Sequence, residues 1–207
     1  RLDCLGSGGR DHFLMDNWAN LLPVLILAAA CMFIMAIDDW KKSILGYALI
    51  YISAFSIIVQ YWSFSFSLVK LLAGLISLVV LGMSIYRRYE IPEAKSVAER
   101  VFRLVALSLV YILILFIAYR ISNYLSIPLE IVLSSLLIIG FAVIQLGVAH
   151  EAYKIFMAIL ALFFGFELIF SSNEASLLVN GLLAVVTLLV ALIGSYMIVN
   201  EFEGEES

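Results

Sequence analysis

Three side chains in this 207-residue sequence have the type and setting to handle a proton away from water: Glu167, Lys70 and Glu130. Glu167 interrupts the otherwise uncharged run "AILALFFGFELIFSS" at 158–172. A carboxylate in hydrocarbon costs about 2.5–3.5 kcal/mol on insertion scales, so its presence requires a reason. Proton relays are one such reason, because a carboxyl can alternate between its charged and neutral forms. Hydrogen-bonded attachment to a neighbouring helix is the other. Lys70 lies one turn inside the run 66–86, where its long stem can snorkel to the headgroups; that reading is favoured over a place in a proton path. Glu130 follows Pro128 in the first turn of a helix, a position that suits an acid through the helix dipole.

Asn180, Thr187, Ser195 and Gln145 read as polar contacts between helices rather than as ligands. Gly74, Gly82, Gly140, Gly147, Gly165 and Gly194 mark points where helices can approach, with Gly140 and Gly147 on one face. His150 and Glu151 fall in a loop, where solvated charge is the default. No phosphate-binding loop, zinc spacing, haem motif or nucleophile elbow is present, so no cofactor and no metal is expected. Cys4 and Cys31 differ in setting and suggest no disulfide; Cys31 reads as an inert thiol inside an apolar run.

The elements that must position these groups follow from composition. Hydrophobic residues make up 64% of the chain, charged residues only 14%, and the mean hydropathy is +1.11. Soluble domains average about 45–50% apolar, so the expected environment is a lipid bilayer. The net charge of −4, concentrated in the tail "NEFEGEES", excludes a nucleic-acid-binding face. Crossing the hydrocarbon takes about 20 apolar residues in a helix. Apolar runs occur at roughly 18–37, 44–62, 66–86, 101–119, 127–149, 154–171 and 176–199, without the period-two alternation of a barrel. The expected fold is therefore an all-α polytopic membrane bundle of about seven transmembrane helices.

Its organisation reads as a polar leader at 1–16, expected to be disordered, with Met15 as the expected start. A three-helix membrane part follows at 17–86, then a cytoplasmic loop at 87–100, a four-helix part at 101–199 and an acidic tail at 200–207. Lys and Arg in short loops mark the cytoplasmic side. Lys41, Lys42, Arg87, Arg88, Lys95, Arg100, Arg103 and Lys154 all follow odd-numbered helices or begin the next, which puts the N-terminus outside and the C-terminus inside.

Residues 127–199 form a three-helix unit, with "GFEL" (Gly165–Leu168) late in its middle helix after a short polar turn on the cytoplasmic side. This layout resembles the K subunit of respiratory complex I and the C subunit of multisubunit cation/proton antiporters. In length and seven-helix plan the chain resembles component E of hydrogenase-4 type complexes. The resemblance implies that Glu167 matches the middle-helix glutamate of the family's proton pathway, that the partners are other membrane subunits such as antiporter-like ones, and that the membrane is a prokaryotic plasma membrane. Two features differ. The third helix of the unit offers Asn180, Thr187 and Ser195 where the complex I branch carries a second glutamate, and the turn reads "HEAYK" in place of an Arg-Asn type sequence. Both point to a structural or partial-channel contribution within a larger complex.

The leading expectation is thus a small integral subunit of a complex I-like, hydrogenase-like or antiporter-like complex, at most a non-catalytic part of a membrane oxidoreductase. The alternatives are a stand-alone transporter or channel and a non-transporting polytopic scaffold. A retinal-type pump is disfavoured, since the last helix has no lysine for a Schiff base.

Overall fold

The computed structural model of the chain describes residues 8–37, 39–62, 64–86, 97–173 and 176–205. Among the described residues, regular structure is entirely α-helical and comprises α1 (Gly8–Ala36), α2 (Trp40–Tyr61), α3 (Phe64–Tyr86), α4 (Val97–Leu125), α5 (Leu129–Val148), α6 (Ala152–Asn173) and α7 (Leu177–Glu205). Six of these are long and apolar enough to cross a membrane, and α1 carries a shorter apolar stretch over Leu21–Ala36. Except for α5, the helices are longer than the apolar runs. α1 passes through residues 8–16, read above as leader; α4 begins at Val97, inside the expected loop; and α7 continues to Glu205, into the expected tail. Hydropathy marks the part of a helix that lipid covers, whereas the backbone bonds that define its ends continue into the polar boundary. Residues 1–7 of the leader and 87–96 of the loop lie outside the described residues.

Short connections give successive helices opposite directions. Trp40 at the start of α2 meets Tyr86 at the end of α3 with ring centroids 6.2 Å apart, which fixes that pair as antiparallel. The bundle therefore has one basic end, with Lys41, Lys42, Arg103 and Lys154, and an opposite end, with Tyr61, Glu130 and Asn180. Helix ends are stopped by local chemistry. Asp39 caps α2, its carboxylate accepting from the Lys41 amide at 3.1 Å. Between α4 and α5, Ser126 takes a left-handed conformation (φ 56°) just ahead of Pro128, which forms the N-cap of α5.

α5 packs against α6 and α4, α1 against α2, and α3 against α7, while α2 also lies beside α3. The common core includes Leu27, Tyr47, Ile50, Leu107, Ile138 and Phe141, each no more than 2% exposed, with Cys31 fully enclosed among them. α4 and α7 sit on different flanks, and only 22% of each apolar window is covered by protein. Leu109, Leu115 and Phe116 of α4 face outward, 61–77% exposed. In water such a surface would be unfavourable; against acyl chains it is the expected covering.

Small residues set the closest approaches. A Cβ on Gly165 would stand 2.8 Å from Ile139 Cγ1 and 3.1 Å from the Ser135 carbonyl, so α6 lies on the α5 backbone at this point. The Ser135 hydroxyl donates to the Gly165 carbonyl across that contact. Gly140 meets Val110 and Ile114 of α4, and Gly194 meets Phe156 of α6. Gly147 corrects the expectation that it marks a helix approach, because beyond its own helix and chain neighbours no described atom lies within 4 Å of where its Cβ would be. It lies on the last turn of α5, beyond the helix crossing.

Candidate functional site

α6 carries Glu167 six residues before its end, and α3 carries Lys70 six residues after its start. At 1.5 Å per residue both groups stand about 9 Å inside the end opposite the basic one. The two helices run antiparallel and touch, so side chains 97 residues apart in sequence meet: Lys70 Nζ donates to Glu167 Oε2 at 3.3 Å. Both are buried, with side chains 4% and 7% exposed. The other carboxylate oxygen accepts from the Thr187 hydroxyl of α7 at 3.0 Å, and that hydroxyl also lies 3.0 Å from the carbonyl of Leu183. Three helices thus supply one cation, one carboxylate and one hydroxyl to a single buried centre.

This arrangement corrects the snorkelling expected of Lys70. A lysine near the end of a lone helix reaches for headgroups because nothing inside the membrane offsets its charge. Here a carboxylate lies within reach, and Coulomb attraction at low dielectric, added to hydrogen bonding, favours turning the stem inward.

One turn beyond Glu167, Ser171 donates to Asn180 Oδ1 at 2.8 Å, and Asn180 Nδ2 donates to the Ser176 carbonyl at 3.0 Å. Ser195 bonds Ser84 of α3 near the basic end. Thr187, Asn180 and Ser195 therefore all make polar contacts that join α7 to its neighbours. Gln145 is buried, 7% exposed, and lines a cleft at the basic end with Tyr47, Tyr153 and Lys154. Glu130 is placed elsewhere, accepting from the Tyr61 hydroxyl at 3.0 Å where α2 ends and α5 begins.

Several participants were not singled out from sequence. Tyr51 of α2 packs its ring on Phe164, one turn before Glu167, with centroids 4.4 Å apart. Its ring also fills the space that a side chain on Gly74, one turn after Lys70, would occupy. It is 2% exposed. Lys154, counted only as a loop cation, is 6% exposed and pairs with Glu151 at 2.9 Å; Glu151, expected to be solvated, has one carboxylate oxygen enclosed. The spacing of Ser43, Tyr47 and Tyr51 on one face of α2 was the available signal, masked by the general abundance of tyrosine.

The fold and this centre define an integral multi-pass helical membrane protein with a charged cluster in its interior. The chain matches no protein-family model, no curated protein and no solved structure.

Proposed function

We propose that this chain is a small integral subunit of a larger membrane complex of the complex I-like, hydrogenase-like or cation/proton antiporter kind, and that its Lys70–Glu167–Thr187 centre exchanges protons. The observation that carries this reading is a buried ion pair built by α3 and α6 inside a membrane bundle. Charges at such positions mark ion and proton pathways more often than not, since an apolar pair would hold two helices together without the desolvation cost.

The chemistry follows from the pair's two neutral-sum states. With the proton on Lys70, the ammonium and carboxylate attract each other. With it on Glu167, an amine faces a carboxylic acid, and the cost of keeping charge away from water is relieved. A proton delivered to Glu167 from one side breaks the attraction and frees the ammonium; release to the other side restores it. Thr187 steadies the carboxylate while this happens. The chain has no redox role in this scheme, which leaves electron transfer to partner subunits. The N-terminus lies outside and the C-terminus inside a prokaryotic plasma membrane, with the basic end cytoplasmic.

The test is Glu167→Gln in the assembled complex. Proton flux should fall to background while the complex still assembles. Unchanged flux would remove the proton role and leave the pair as a link between helices. Co-purification of the wild-type chain with large antiporter-like subunits checks the partner class.

A further inference from the structure

The hydrogen-bonding capacity around the buried pair is not symmetrical. Towards the end opposite the basic one, the polar groups bond protein: Ser171 donates to Asn180, Asn180 to the Ser176 carbonyl, and Ser172 to the Leu168 carbonyl. Towards the basic end, the hydroxyls of Tyr47 and Tyr51 are enclosed with no hydrogen-bond partner from the protein, as is Glu151 Oε2. Tyr47 and Tyr51 are each 2% exposed and stand four residues apart on α2, hence on one face.

These groups form a line. At the basic end, Tyr47 shares a cleft with Gln145, Lys154 and Met157, and the cleft encloses ≈ 10 Å³, about the space one water requires. Tyr51, one turn further along α2, packs its ring against Phe164, one turn before Glu167 on α6, with centroids 4.4 Å apart. Buried hydroxyls are almost always satisfied, by protein or by ordered water. Two adjacent unsatisfied ones, leading from a polar cleft to an ion pair, mark where water bonds.

Resting on the proton-exchange reading above, we infer that water threads from the Gln145–Lys154 cleft past Tyr47 and Tyr51 to Glu167, giving the pair access to the basic side of the membrane alone. In a transfer along this line, one O–H bond of a protonated water breaks and one forms on a Glu167 oxygen. The Tyr hydroxyls donate hydrogen bonds to the water chain and keep their own protons between transfers. On the far side, the Ser171–Asn180 contact closes the route until it rearranges.

Radiolytic hydroxyl-radical footprinting of the full chain in lipid nanodiscs tests this without any transport assay. Met157 lines the cleft and Met35 lies in the core; both are buried, at 2% and 0% exposure, and they share the same intrinsic reactivity. Met157 should oxidise several-fold faster than Met35, with Tyr47 and Tyr51 also modified. Equal, negligible labelling at Met157, Tyr47 and Tyr51 would overturn the water route. In the assembled complex, the double variant Tyr47→Phe/Tyr51→Phe should lower proton flux several-fold, and unchanged flux there overturns the route as the supply to Glu167. If Glu167→Gln leaves flux intact although Met157 is labelled, the proton role fails and the one-sided water access stands.

Discussion

Among the described residues, two lysine–glutamate pairs look alike on paper and differ in how they are built and in how far the carboxylate reaches water. Glu151 and Lys154 are three residues apart where α6 begins, and they meet at 2.9 Å through local helix geometry. Lys70 and Glu167 need α3 and α6 to be correctly docked before they can meet at all. The first pair has a carboxylate that is 34% exposed, so water shares the task of solvating it; the second has both partners enclosed. A pair whose carboxylate reaches water contributes less, because solvent already meets part of that charge. Inside the bundle the pair itself replaces the solvent, so losing one member strands the other.

That contrast makes its strongest claim for Lys70→Met. With Glu167 left uncompensated, the bundle should lose about 3–5 kcal/mol against unfolding in detergent or bicelles. Adding Glu167→Gln to the same chain should recover most of the loss, because the stranded charge is gone. If the single variant unfolds like wild type, the two pairs are not different in kind. A smaller effect is expected from Thr187→Val, which removes the hydroxyl that steadies Glu167. A hydrogen bond between membrane helices is worth about 0.6 kcal/mol on average and up to about 1.7, and the loss should lie in that range. The smallest belongs to Glu151→Gln, where unfolding should shift by less than about 1 kcal/mol, since the Glu151 carboxylate is partly solvated and the amide keeps a hydrogen-bond acceptor for Lys154. A larger shift there would show that the pair at the start of α6 is as dry as the one in the interior.

The bundle was legible in the sequence because lipid imposes a simple rule. Runs such as 127–149 and 176–199 have to be helices, and α5 and α7 fall on them. Glu167 was legible for the same reason, as a carboxylate amid "FFGFELIF". Its partner was not. Nothing local to "SLVKLLAG" distinguishes a lysine that reaches outward from one that turns inward, because the deciding group lies in a helix made much later. Tyr51 was hidden in another way: its part depends on Gly74 leaving room for its ring, a property of the crossing between two helices. Gly147 shows the converse, since residues spaced seven apart share a face of α5 only usefully where another helix runs alongside.

The distance in sequence between the two members of the interior pair also has a consequence in time. During synthesis α3 enters the membrane while α6 does not yet exist, and 97 residues separate Lys70 from its carboxylate. At about 5–20 residues per second, roughly 5–20 s pass before the partner emerges. Throughout that interval the lysine is carried by a helix apolar enough to cross the membrane despite one misplaced charge, and its stem can only stretch towards the headgroups. The outward-reaching lysine that a lone helix would show is thus the nascent chain's own state, and arrival of α6 is the event that draws it inside.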